Sequence, residues 1–223
     1  MSSEGGRIII CSRNKNDLED VRNEIVKNGG KCEYHVVDIL NKKQVDKFVD
    51  NVIDSHNKID VLINNAGYVN ELENTENVTE EEFERCMKTN IYSVFYFLKK
   101  VIPIMRKQDS GIIVNIASIA GKRGVPTLSS YSASKFAVIG LTQSVGKELK
   151  NTNVICIAVC PGGMNTEMRA KVFGPRDAKK QQDPKFVANV VRDIIIGKIK
   201  VPNAGDISIR HGKIIAIDPA PGY

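Results

Sequence analysis

Along this chain short continuous apolar runs alternate with longer stretches whose apolar residues recur every three or four positions. These are the signatures of buried strands and of one-sided helices. Residues 7–11 (RIIIC) read as a first strand. Leu18, Val21 and Ile25 then mark one helix face, closed at Gly29 and Gly30, because glycine accepts the left-handed turn that ends a helix. Residues 34–37 read as a second strand, followed by a helix with Val45, Phe48, Val49, Val52 and Ile53 inward. A third strand spans 59–63 (IDVLI). Thr79 and Glu82 stand at capping-box spacing and open a helical region reaching to about residue 106, with a bend expected near Pro103. Residues 111–117 (GIIVNIA) predict a fourth strand, 129–150 a helix and 154–160 (VICIAVC) a fifth strand. The polar stretch 161–183 is long for a plain connection and reads as a mobile lid. Residues 184–196 look helical, 206–210 form a last strand, and the tail reads as irregular.

Strands alternating with helices imply a parallel sheet covered on both faces, the doubly wound α/β architecture. No internal repeat or second domain is visible, so residues 1–223 read as a single domain. Ligands of such sheets lie beyond the carboxyl ends of the strands. The residues just after each strand are therefore the ones that matter.

Composition narrows the class without choosing within it. With 42% hydrophobic and 26% charged residues the chain has the balance of a soluble globular protein. No apolar run reaches the ~18–20 residues of a membrane span, and MSSEGG lacks the features of a secretory signal, so a cytoplasmic protein without membrane contact is expected. Five cysteines (Cys11, Cys32, Cys86, Cys156, Cys160) are an odd number with no C-x-x-C pair and read as reduced thiols. The three histidines are scattered, so no metal site is expected. The net charge of +6 is spread along the chain, with no aromatic–basic motif that would select nucleic acid.

Tyr131 and Lys135 are four apart at the start of a predicted helix, so they share one face. A phenol with pKa ~10 is a poor acid or base at neutral pH, and a nearby ammonium lowers that pKa by stabilising the phenolate. Such a tyrosine can give a proton to a ketone oxygen while hydride reaches the carbon. Other candidates fall on the same sheet edge. Ser118 ends a strand, Asn64-Asn65-Ala66-Gly67 follows IDVLI, and Pro161-Gly162-Gly163 and Thr166 follow VICIAVC. Asn90 interrupts an apolar helical stretch, where a buried amide needs partners.

This constellation resembles the short-chain dehydrogenase/reductase family, from Gly5 to about Arg210. The matching motifs are N-N-A-G at 64–67, the helical Asn90, I-V-N-I-A-S at 113–118, Y-S-A-S-K at 131–135 and P-G at 161–162. The resemblance implies a Rossmann-like fold and an oxidoreductase interconverting a carbonyl and an alcohol on a small molecule. Under it, Tyr131 is the general acid/base, and Lys135 tunes it and holds the nicotinamide ribose. Ser118 binds the substrate carbonyl, and Asn90 keeps a water in the proton relay. Asn65, Ala66 and Gly67 lie along the adenosine half of the cofactor, Asp38 meets the adenine, and Pro161, Gly162 and Thr166 position the carboxamide end. A homodimer or homotetramer built on the helices at about 79–106 and 129–150 is implied in the same way. After the first strand the chain reads Cys11-Ser12-Arg13-Asn14, with a guanidinium where an NAD enzyme carries an acid. NADP is expected over NAD, with Arg13 as its contact.

One departure stands out. The family's G-x-x-x-G-x-G turn occurs nowhere in the 223 residues. The chain reads as beginning near the end of the family's first helix, so the first strand–helix unit is expected to be missing. The sheet should then carry a gap or two new edges, and cofactor should bind poorly. A late start, a fragment completed by another chain and a non-catalytic interaction protein of the same fold are the competing accounts. Retention of Asn90, Ser118, Tyr131 and Lys135 favours the enzyme with a late start.

Overall fold

A computed structural model describes residues 1–222, and the chain divides into two compact units, Met1–Asn57 and Lys58–Tyr223. In the first unit, β1 (Arg7–Ser12) leads into α1 (Lys15–Lys27), which Asn14 caps by accepting the amide of Asn16 at 3.0 Å. The helix closes as its composition dictates. Gly29 takes a φ of 79°, and the amides of Gly29 and Gly30 return to the carbonyls of Val26 and Ile25. Leu18 is buried, but Val21 faces solvent, so α1 covers its sheet along a narrower stripe than the spacing predicts. β2 (Lys31–Val36) runs parallel to β1, and α2 (Lys42–His56) buries Val45, Val49 and Val52.

The second unit carries a five-stranded sheet in the order β3-β4-β5-β6-β7. β3 (Val61–Asn64), β4 (Gly111–Ile116), β5 (Val154–Pro161) and β6 (Asp206–Arg210) are parallel. β7 (Lys213–Asp218) returns antiparallel to β6, where the sequence predicts an irregular tail. Its side chains are largely exposed, so they carry no one-sided pattern; the free backbone edge of β6 recruits them. Each unit thus has its own hydrogen-bonded sheet, β1 with β2 in the first and β3 with its four partners in the second.

Strand alternation sends successive residues of β5 to opposite faces. Ile157 and Val159 join Val114, Ile207 and Ile209 against α8 (Pro184–Ile195), which presents Val187, Val190, Val191 and Ile194. Ala158 and Cys160 face α5 (Ser129–Glu148) with Ala117, Val138 and Ile139. Each fully buried aliphatic side chain contributes roughly 1.5–3 kcal/mol, which fixes the sheet between these helices.

The helical region from Thr79 differs from its expected course. It comprises α3 (Glu80–Met87), a π-helical turn Lys88–Tyr92 and α4 (Ser93–Gln108). Pro103 lies within α4, so the irregularity falls at Asn90 instead of at the proline. Tyr92 and Phe95 are exposed. The stretch 161–183 is also more regular than a polar loop, with α6 (Glu167–Phe173) and α7 (Pro175–Ala178). Arg169 pairs with Asp177 across them at 2.6 Å.

Candidate active site

Beyond the carboxyl end of β4, Ser118 caps a short 3-10 turn by accepting the amide of Ala120 at 3.1 Å. Its hydroxyl also donates to the carbonyl of Pro161 at the end of β5, 3.4 Å away. Gly121 lets this turn lie against α5, since a Cβ there would stand 2.6 Å from the backbone oxygen of Lys135. Tyr131 falls in the first turn of α5 and Lys135 one turn on. The lysine is buried, donates from Nζ to the carbonyl of Ile116 at 2.8 Å, and lies 5.8 Å from the Tyr131 ring centroid. Burial pushes the ammonium down to about 8 and the phenol above its ordinary value, while a hydrogen bond with Ser118 draws the phenol partly back. The same desolvation thus opposes both charges that the pair would use, and for the phenol the Ser118 hydrogen bond works the other way.

Asn90 is held from three directions. Its Oδ1 accepts the amide of Tyr68 at 2.7 Å, and its Nδ2 donates to the carbonyl of Tyr68 and to Ser134 Oγ, each at 2.8 Å. These bonds explain the π-helical turn: the extra residue rotates a buried amide toward the segment after β3. Tyr68 is fastened in turn, its ring beneath Arg85 at 4.1 Å and its hydroxyl donating to Glu82. Burial, reinforced by the Glu82 carboxylate, raises that phenol to about 12. Glu82 therefore serves Tyr68, and Thr79 alone supplies the cap of α3, accepting the Glu82 amide at 3.2 Å.

Asn65, Ala66 and Gly67 follow β3 directly, the first two exposed. A Cβ at Gly67 would lie 3.5 Å from Asn90 Oδ1 and 3.6 Å from Lys135 Nζ, so the glycine keeps the space beside the buried ammonium open. This chemistry suits the nicotinamide-ribose end of a dinucleotide, with a cation and an open backbone to meet a diol; the turn that would take the pyrophosphate is not among these residues. Gly162 donates its amide to the carbonyl of Ile209 at 2.7 Å, and Thr166 caps α6 by accepting the amide of Arg169 at 3.2 Å. Ser118, Tyr131, Gly162 and Thr166 line one cavity of about 430 Å³. In the first unit, Arg13 is exposed after β1. Asp38 lies two residues past β2 and accepts the amide of Leu40 at 3.0 Å.

Sequence reasoning gave no role to Asn115, although an amide amid the apolar GIIVNIA run was its signal. Fully buried, it accepts from Asn64 Nδ2 at 2.8 Å and donates to Thr142 Oγ1 at 2.9 Å, tying β3 and β4 to α5 just behind the site.

A family model described as short chain dehydrogenase matches residues 1–177. The chain belongs to the short-chain dehydrogenase/reductase family. Among its relatives is the 3-oxoacyl-[acyl-carrier-protein] reductase of Thermotoga maritima, 33% identical over 171 residues, which cover 77% of this chain and 69% of that protein. Against several further relatives the chain spans 60% to 67% of their length. The structure of levodione reductase superposes with a TM-score of 0.87 at 28% identity, over 94% of this chain and 88% of that one. That of an actinorhodin polyketide ketoreductase with NADPH gives 0.85 at 28% identity, over 95% and 88%. This short-chain dehydrogenase/reductase chain has the α/β fold with a parallel central sheet that those structures share, and no helix among the described residues is long and apolar enough to cross a membrane.

Proposed function

We propose that this protein is an NADP-dependent carbonyl reductase, interconverting a carbonyl and an alcohol on a small molecule. The observation that carries the reading is Tyr131 and Lys135 one turn apart on α5, with Tyr131 and Ser118 on the wall of one cavity. A bound nicotinamide supplies the hydride. Tyr131 donates its phenolic proton to the substrate oxygen, and Ser118 hydrogen-bonds the same oxygen and orients it. Lys135 stabilises the phenolate that remains and holds the ribose beside Gly67. Asn90, anchored by Tyr68 and Ser134, keeps the water through which the phenolate recovers its proton. Asn65 and Ala66 border the adenosine half, Asp38 meets the adenine, Pro161, Gly162 and Thr166 hold the carboxamide end, and Arg13 takes the 2′-phosphate through its planar donors. The NADPH-bound ketoreductase among the similar structures supports the cofactor class.

Tyr131→Phe keeps the ring and removes the proton donor. Carbonyl-dependent NADPH consumption by that variant should fall by ~10²–10⁴; survival within a few-fold would refute the assignment. Tyr92 at the end of the π-helical turn, Phe95 on α4 and Phe136 on α5, each 45–51% exposed, support a homodimer or homotetramer across these helices. Sedimentation of Phe95→Asp should then show dissociation, and a wild-type monomer would exclude that assembly.

A further inference from the structure

The cavity that holds Ser118 and Tyr131 is lined by Arg123, Arg169, Arg210 and His211 and by no aspartate or glutamate. One of the three guanidiniums is already satisfied: Arg169 pairs with Asp177 at 2.6 Å and lies over the Phe173 ring at 3.7 Å. The side chains of Arg123 and Arg210 have no hydrogen-bond or ion-pair partner among the described residues. Two like charges on one concave wall with no counter-charge raise the local potential and favour an anion there.

Both arginines stand on constrained backbone. Arg123 follows the 3-10 turn that Ser118 caps, and its amide donates to the carbonyl of Ile119 at 3.2 Å. Arg210 ends β6, and its stem lies on the turn after β5, where a Cβ on Gly162 would come within 3.1 Å of its Cγ. The hairpin beyond it turns through His211 and Gly212, both at positive φ (51° and 66°), the conformation that matches strand twist in a two-residue hairpin. Gln182 pins that turn by accepting the amide of Gly212 at 2.9 Å. The sheet end thus delivers Arg210, and the Ser118 turn delivers Arg123, to the cavity that contains the proposed proton donor.

We infer that the substrate is a keto acid or hydroxy acid whose carboxylate is held by Arg123 and Arg210 while its carbonyl or hydroxyl meets Tyr131 and Ser118. The inference rests on the reading of this cavity as the carbonyl site. Arginine suits the role because its planar fork matches both oxygens of a carboxylate. Val125, Leu128, Met164, Met168 and Val172 line the same cavity and supply the apolar wall that a carbon skeleton joining ketone to acid requires.

The test compares 4-oxo-4-phenylbutanoate with its methyl ester, by calorimetric titration with saturating NADPH and, separately, without cofactor. The acid should bind at least ~10-fold more tightly than the ester, a difference of about 1.4 kcal/mol. In Arg123→Gln/Arg210→Gln that ratio should fall toward one. Lys213→Gln, on the same hairpin but outside the cavity wall, should retain the ratio. Equal affinity for acid and ester in the wild type would overturn the inference. So would a ratio that Lys213→Gln erodes as much as the arginine pair does, and so would loss of NADPH affinity matching the loss for the acid. Turnover of the two ketones is read independently. Preferential binding of the acid without reduction would defeat the catalytic reading and leave the anion site standing.

Discussion

Lys135→Met separates what this lysine does for chemistry from what it costs the fold. Methionine keeps an unbranched stem of similar length in the same buried space. Holding the ammonium there lowers its pKa from 10.5 to about 8, so the charged form is disfavoured in the folded chain by about 3 kcal/mol. The variant escapes that cost but deprives the Ile116 carbonyl of its donor, worth roughly 1–3 kcal/mol. At pH 7 the two effects nearly offset, leaving the variant equal to the wild type or up to ~2 kcal/mol more stable. The pH dependence carries the sharper signal. Below pH 8 folded and unfolded wild type both hold the proton, and the burial cost is felt in full. Between pH 8 and 10.5 the folded chain releases it while the unfolded chain keeps it, so wild-type stability rises with pH. Between pH 7 and pH 9.5 the variant's stability relative to wild type should therefore fall by about 2 kcal/mol. Urea unfolding of both proteins at the two pH values measures it, and titrations common to both chains cancel in the difference. A difference that stays constant with pH, or moves the other way, would mean that Lys135 is not held as a desolvated cation, and its assigned role beside Tyr131 would lose its physical basis.

Two further outcomes follow from other parts of the molecule. Arg13→Ala should weaken NADPH binding by at least ~10-fold, as expected for loss of a charged hydrogen bond, and barely change NADH binding; equal losses in fluorescence titrations would make Arg13 a surface cation. Asn115→Leu should cost about 2–4 kcal/mol in chemical denaturation, because it strands the buried Nδ2 of Asn64 and removes the donor to Thr142; a loss under 1 kcal/mol would mean that the pair is readily rehydrated or repacked.

Local patterns and local chemistry were enough to read most of this protein from its residues. The apolar runs at RIIIC, IDVLI, GIIVNIA and VICIAVC become β1, β3, β4 and β5 within a residue or two at either end. Thr79 caps α3 and the Gly29–Gly30 pair closes α1, because each bond spans only a few residues and answers to the chain's own geometry. The Tyr131–Lys135 spacing likewise put both residues on one helix face once a helix was assumed. What tertiary structure alone decided depends on partners far along the chain. The helix breaks at Asn90 and not at Pro103 because the amide bonds Tyr68, 22 residues earlier, and Ser134, 44 residues later. A proline inside a helix leaves a visible mark in the sequence; a distant hydrogen-bond partner leaves none. β7 formed against a prediction of irregular chain because the edge of β6, not its own side chains, supplies the bonding. Arg123 and Arg210 lie far apart in sequence and look like ordinary surface cations until the ends of β4, β5 and β6 bring them to one cavity. Period and capping are short-range and survive in one dimension, whereas charge convergence and long-range pairing exist only after the chain has closed on itself.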